Sequence, residues 1–143
     1  MKPILDIKIE SNGQDLHLKG ENGTIDMIPF KGTAAGEIFK GIVEPCGVDT
    51  QLVNAAGIRH MSARYMLTGQ DMNGQPAHIY IENNGWFDEN QGPMVLPFKT
   101  VPVFYTDSSA LAPYLHRNQF VGEGHMLPDG LHILFFEISS KKD

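Results

Sequence analysis

The chain has 143 residues, enough for one domain and too few for two separate cores. Its 11 basic and 17 acidic side chains give a net charge of -6, so no basic surface stands ready for a nucleic-acid backbone or an anionic membrane. A hydrophobic fraction of 41% supports a buried core, and the single cysteine, Cys46, excludes an internal disulfide framework and a multi-cysteine zinc site. The opening Met1-Lys2-Pro3-Ile4-Leu5-Asp6 acquires charge too early for a secretory leader. No apolar run approaches the ~18 residues that cross a bilayer; the richest, Leu131 to Ile138, contains His132 and Glu137. A cytoplasmic protein folded as one domain over 1–143 is expected, with Ser139-Ser140-Lys141-Lys142-Asp143 as a polar end.

In chain order, Leu5, Ile7 and Ile9 alternate with Asp6, Lys8 and Glu10. Leu16 and Leu18 then alternate with Asp15, His17 and Lys19. Period two belongs to strands with one face in a core. Asn12-Gly13, Asn22-Gly23, Asn73-Gly74 and Asn84-Gly85, with Asp129-Gly130, carry the positive φ that hairpin turns need. Further strands are predicted at Thr24–Phe30, Glu37–Glu44, Thr50–Asn54, Ile58–Thr68, Pro76–Asn84, Phe98–Thr106, Gln119–Met126 and Leu131–Ile138. Only Ser108–Leu115 offers a helical turn, kept short by Pro113. So many short strands in succession predict an all-β fold: a single antiparallel up-and-down barrel of about eight to ten strands, closed to remove exposed edges. An open sandwich is the second choice.

The segment from Gly85 through Leu96 breaks the rhythm, carrying Trp86, Phe87 and an acidic pair. It reads either as a lid over a cavity mouth or as a packed plug or subunit contact.

The densest chemistry lies in Arg59 to Leu67 and His78 to Asn84. A three-residue loop, Met72-Asn73-Gly74, matches apolar with apolar across the ladder. It sets Tyr65 opposite Ile81, Leu67 opposite Ile79 and Arg64 opposite Glu82. If the face bearing His60, Ser62, Arg64, Tyr80 and Glu82 lines the lumen, it furnishes a polar cavity. There Arg64 would anchor an anionic or carbonyl oxygen, with Trp86 and Tyr114 as aromatic contacts. If it points outward, it is a solvated exterior.

Other constellations are weaker. The six histidines (His17, His60, His78, His116, His125, His132) form no HxH, HxxxH or HExxH spacing, so neither a metal nor another cofactor is expected. Gly122-Glu123-Gly124-His125 lacks the lysine and helix of a phosphate loop. Ser62 near His60 has no orienting acid, and Cys46 stands in a predicted turn. Asp49, in the same turn, either caps backbone amides or joins the cavity as an acid/base group.

Several segments together resemble the DUF3237 (UPF0311) family: Glu44-Pro45-Cys46-Gly47-Val48-Asp49, Ser62-Ala63-Arg64, Ile79 to Gly85, Pro102-Val103-Phe104-Tyr105-Thr106, and Ala112 to Gly122. The resemblance implies a calycin-like antiparallel barrel without an established activity, and it sets Asp49 and Arg64 at recurring family positions. Tyr114, His116 and Ser62 stand where the family usually has Trp, Asn and Asp. Three functions follow as expectations. The first is a lumen that binds a small anionic or carbonyl-containing metabolite through Arg64. The second is a cofactor-independent isomerase, lyase or hydratase with Asp49 or Glu82 as proton shuttle. The third is a filled barrel acting as a homo-oligomeric module.

Overall fold

Strands dominate because apolar residues recur at every second position for long stretches, so each strand buries one face and wets the other. The computed structural model describes residues 2–138; the polar end expected at 139–143 lies outside them. Nine strands follow one another: β1 (Leu5–Ser11), β2 (Leu16–Gly20), β3 (Gly23–Ala35), β4 (Phe39–Asn54), β5 (Ile58–Asp71), β6 (Pro76–Asp88), β7 (Phe98–Thr106), β8 (Phe120–Leu127) and β9 (Gly130–Glu137). A 3-10 turn, Glu89–Gln91, follows β6, and a single helical turn, α1 (Ala112–Leu115), links β7 to β8.

All pairings are antiparallel. From β3 to β9 each strand pairs with the next, β9 returns to β1, and β1 closes on β3. Eight strands therefore form a closed up-and-down barrel, and β2 extends one rim. No helix among the described residues is long and apolar enough to cross a membrane.

The turn at Asn73-Gly74 forms as the pattern requires. Gly74 takes φ 76°, its amide donates to the Asp71 carbonyl, and the Asp71 amide donates to the Gln75 carbonyl. Tyr65 thereby faces Ile81, Leu67 faces Ile79 and Arg64 faces Glu82.

Three predicted turns are corrected. Asn12-Gly13 joins no hairpin: β1 and β2 lie end to end on one edge of β3, opposite 30–35 and 23–27 respectively. Asn84-Gly85 sits inside β6, where a β-carbon on Gly85 would lie 3.0 Å from the Lys99 carbonyl oxygen and 3.2 Å from Met61 Cε. That glycine serves close approach, not a turn. The predicted turn at 44–49 is a bulge, so Glu37–Glu44 and Thr50–Asn54 belong to one long strand, β4. Between Val43 and Val48 this strand runs five residues past three of β5, a two-residue excess. Asn12 Nδ2 pins the bulge by donating to the Pro45 carbonyl at 2.8 Å.

The barrel is filled at one end only. Leu5, Ile7, Phe39, Val43, Leu67, Ile79, Ile81, Phe104, Phe120 and Phe135 are buried there, with Leu111 and Leu115 from the α1 region added to the same core. Phe104 meets Phe120 and Phe135 edge to face, both at 5.2 Å. Each such side chain contributes roughly 1.5–3 kcal/mol by leaving water.

Candidate functional site

The other end is hollow. A cavity of about 380 Å³ opens there, within the ~300–1,000 Å³ of small-molecule sites. Its wall is mostly apolar: Ile9, Ile28, Phe30, Met61, Ala63, Met94, Phe98, Leu131 and Ile133. Set into that wall are Asp49, Gln51, Arg59, Tyr65, Asn83 and Thr100. A barrel filled throughout is thereby excluded.

Strand register explains the convergence. Asp49 on β4 and Asn83 on β6 both lie opposite Ala63 of β5, so one row across three strands reads Asp–Ala–Asn. The small Ala63 leaves space between the two polar groups. Tyr65 lies two residues further along the same face, its ring held edge-on by Phe30 at 5.1 Å. Among the described residues, four buried side-chain polar atoms lack a hydrogen-bond partner in the chain: Asp49 Oδ1, Tyr65 Oη, Asn83 Oδ1 and Thr100 Oγ1. All four residues line this cavity.

The second Asp49 oxygen is held. Gln51 Nε2 donates to Asp49 Oδ2 at 2.7 Å, and Arg59 Nη1 donates to Gln51 Oε1 at 2.7 Å. Arg59 Nε and Nη2 both reach Glu89 Oε2 at 2.7 Å. This relay runs from Glu89, just past the end of β6, to Asp49 in the cavity wall and occupies the guanidinium in the lining. Burial pushes the Asp49 carboxyl above its ordinary range, with Gln51, the Arg59 charge and the nearby Ser62 amide pulling the other way. Burial, reinforced by the Asp49 charge, also raises the Tyr65 phenol, so the hydroxyl keeps its proton.

The predicted polar lining divides across the barrel wall. Only Asp49 faces the cavity. Arg64 points outward, its side chain 61% exposed and its contact with Glu82 a loose 3.6 Å. The reason is parity: β5 and β6 pair without a bulge, so Leu67, Ile79 and Ile81 in the core put Tyr65, Ala63 and Asn83 inside and Arg64 outside. Glu82 and Tyr80 share that outer face with His60, Ser62 and Trp86. His60 bonds Asn84 at 3.1 Å and stacks on Trp86 at 4.6 Å, and Trp86 remains 60% exposed. Ser62 is buried but is on the outer parity. Tyr114 belongs to the filled end, edge-on to Phe120, with its hydroxyl donating to Glu137 Oε1 at 2.9 Å. The lumen anchor assigned to Arg64 and the place of Glu82, Tyr80, His60 and Ser62 in a polar lumen lining are therefore corrected.

The segment expected to be irregular from Gly85 is strand as far as Asp88. Beyond it, Met94 and Phe98 form part of the cavity wall. Among the described residues, no cluster of three His, Cys, Asp or Glu side chains is placed to hold a metal ion. Tyr65, Asn83, Thr100, Gln51 and Arg59 are functional candidates that the turn-and-charge pattern does not pick out. Their signal is parity with the neighbouring core residues.

A family model described as a protein of unknown function, DUF3237, matches residues 1–138. This chain belongs to the DUF3237 family. A UPF0311 protein of Clostridium acetobutylicum is 35% identical over 130 residues, covering 82% of this chain and 79% of the relative. A crystal structure of a protein of unknown function from the same species matches with a TM-score of 0.74 at 30% identity, over 96% of this chain and 95% of that one. A β-barrel-like protein from Acinetobacter baumannii matches with a TM-score of 0.72 at 25% identity, over 96% and 94% of the two chains. A conserved protein of unknown function from Rhodopseudomonas palustris gives 0.70 at 26%, over 94% and 93%. The DUF3237 chain thus shares its barrel with solved relatives whose descriptions assign no activity.

Proposed function

We propose that this DUF3237 protein binds an uncharged small molecule in the hollow end of its barrel. The apolar body of the ligand packs on Phe30, Met61, Phe98 and Ile133. Its hydroxyl or carbonyl end meets Asp49, Tyr65, Asn83 and Thr100. One observation carries this reading: the four buried polar atoms without partners in the chain converge on a single cavity. Folded proteins leave few such groups unpaired, because each costs about 1–3 kcal/mol when desolvated.

Charge selects the ligand class. An anion would enter beside a buried carboxyl while the guanidinium in the lining is already engaged by Glu89 and Gln51. A cation would lose its hydration in an apolar chamber for one partly paired carboxyl.

A matched thermal-shift series tests this: 2-naphthol, 2-naphthoate and naphthalen-2-ylmethylammonium. The naphthol is expected to raise the melting temperature more than either ion, and Tyr65→Phe and Asp49→Asn each to weaken its binding roughly 5- to 100-fold. An undiminished shift in both variants, or no shift with any of the three, rejects the site.

A further inference from the structure

We infer that Asp49 is a catalytic residue, moving a proton to and from carbon beside the carbonyl of an uncharged ligand while the Tyr65 hydroxyl donates to the carbonyl oxygen. The inference rests on the binding site proposed above and adds a reaction to it.

The geometry supplies a base with one free oxygen and a hydroxyl donor in the same cavity. Gln51 occupies Asp49 Oδ2, which leaves Oδ1 without a partner at the cavity. Tyr65 is 4% exposed, and its hydroxyl makes no hydrogen bond within the chain. The two residues lie on one sheet face, Asp49 opposite Ala63 and Tyr65 two residues further along, and the Asp49 charge is felt at the Tyr65 phenol, so one ligand in the cavity can meet both. A ligand whose apolar body fills the chamber displaces water from both contacts.

The step balances without another reagent. Asp49 Oδ1 takes a proton from the α-carbon, and the C–H pair becomes the C=C bond of an enolate. The carbonyl π pair moves onto oxygen, where the Tyr65 O–H bond to it strengthens as charge develops. Returning the proton to the same carbon gives exchange with solvent; returning it to a conjugated carbon gives isomerisation. Nothing is oxidised or reduced. Burial favours both roles, since it strengthens Asp49 as a base and keeps the proton on Tyr65. The charged groups nearest the pair are Arg59 and, behind it, Glu89; the cavity lining holds no histidine.

The probe is 2-tetralone, an enolisable ketone on nearly the frame of 2-naphthol. Loss of its α-proton signals in deuterium oxide is followed by NMR with the intact protein. Exchange is expected to run at least tenfold above buffer, and to fall 10²- to 10⁴-fold in Asp49→Asn, or to the buffer rate where that comes first. Tyr65→Phe is expected to lose at least tenfold while still binding the ketone. Arg64→Ala, on the outer wall, is expected to exchange at the wild-type rate. Thermal melts of each variant show that the barrel is folded. Exchange at the buffer rate, or equal exchange in wild type and Asp49→Asn, overturns the proton transfer. If 2-naphthol still binds in a Tyr65-dependent way, the binding site survives that result; if neither molecule binds, both readings fall.

Discussion

Two tyrosines offer an internal comparison of what a buried hydroxyl does for stability. Tyr65 makes no hydrogen bond within the chain, so Tyr65→Phe forfeits none and retains the edge contact with Phe30. If the hydroxyl is dry, its removal relieves a desolvation cost of about 1–3 kcal/mol; if solvent reaches it through the mouth, the change is near zero. Tyr114 is the opposite case, since its hydroxyl donates to the Glu137 carboxylate at 2.9 Å. Bonds to charged groups contribute roughly 1.5–3 kcal/mol when buried, and half-exposure brings this one toward ~1 kcal/mol. For a domain of this size, 1 kcal/mol moves the melting temperature by roughly 3–5 °C. Ligand-free Tyr65→Phe is therefore expected to melt with wild type if the hydroxyl is wet and roughly 3–15 °C above it if dry, and Tyr114→Phe roughly 3–5 °C below wild type. Urea titrations with unchanged slopes would confirm that both values report the same two-state transition. A Tyr65→Phe protein that loses as much as Tyr114→Phe refutes the reasoning, because its hydroxyl would then be paired and not held for a ligand.

Other outcomes follow from the same structure. Burial opposes the charge on His132, but Asp6 and Asp129, each 2.7 Å from a ring nitrogen, raise its pKa overall. Its contribution to stability is thus complete below the unfolded value near 6.5 and is lost as pH rises through the folded one. Melting temperatures across pH 5–9 should decline over that window in wild type and flatten in His132→Gln. The raised Asp49 pKa acts with the same sign, costing stability as pH climbs from 3.8 through its folded value. Asp49→Asn should accordingly melt above wild type at neutral pH, with the gap closing in acid. A β-carbon on Gly124 would fall 2.1 Å from the Phe98 ring, which lines the cavity. Gly124→Ala is expected to cost about 1–3 kcal/mol in chemical denaturation and to weaken 2-naphthol binding as the ring is displaced.

Strand number, closure and the β5–β6 register are legible in the sequence because each depends on local signals. Alternation marks the strands. The loop Met72-Asn73-Gly74 sets a register in which Leu67 meets Ile79. The Asn-Gly pairs are less faithful guides, because the flexibility that suits a turn also suits other backbone needs. Gly85 permits close strand approach inside β6, and the Asn12-Gly13 break lets β1 and β2 continue along one edge of β3. Neither use can be told from a hairpin without knowing which strand lies alongside.

The site is harder to read because its members lie far apart in the chain: Asp49, Tyr65, Asn83 and Thr100 sit on four successive strands. Charge density draws attention to Arg64 and Glu82 instead, yet charged neighbours on one strand face are what an outer barrel wall normally carries. Parity resolves the choice. Once Leu67 and Ile81 are placed in the core, an unbulged pairing commits Tyr65 and Asn83 to the lumen, and no side-chain preference can reverse that locally. Asp49 meets the same condition by a different route. The excess in β4 is two residues, an even number, so the bulge bends the strand while leaving Val43, Gly47, Asp49 and Gln51 on one parity. An excess of one would have turned Asp49 into solvent. The bulge therefore moves the carboxylate along the barrel axis to lie opposite Ala63 without taking it out of the cavity.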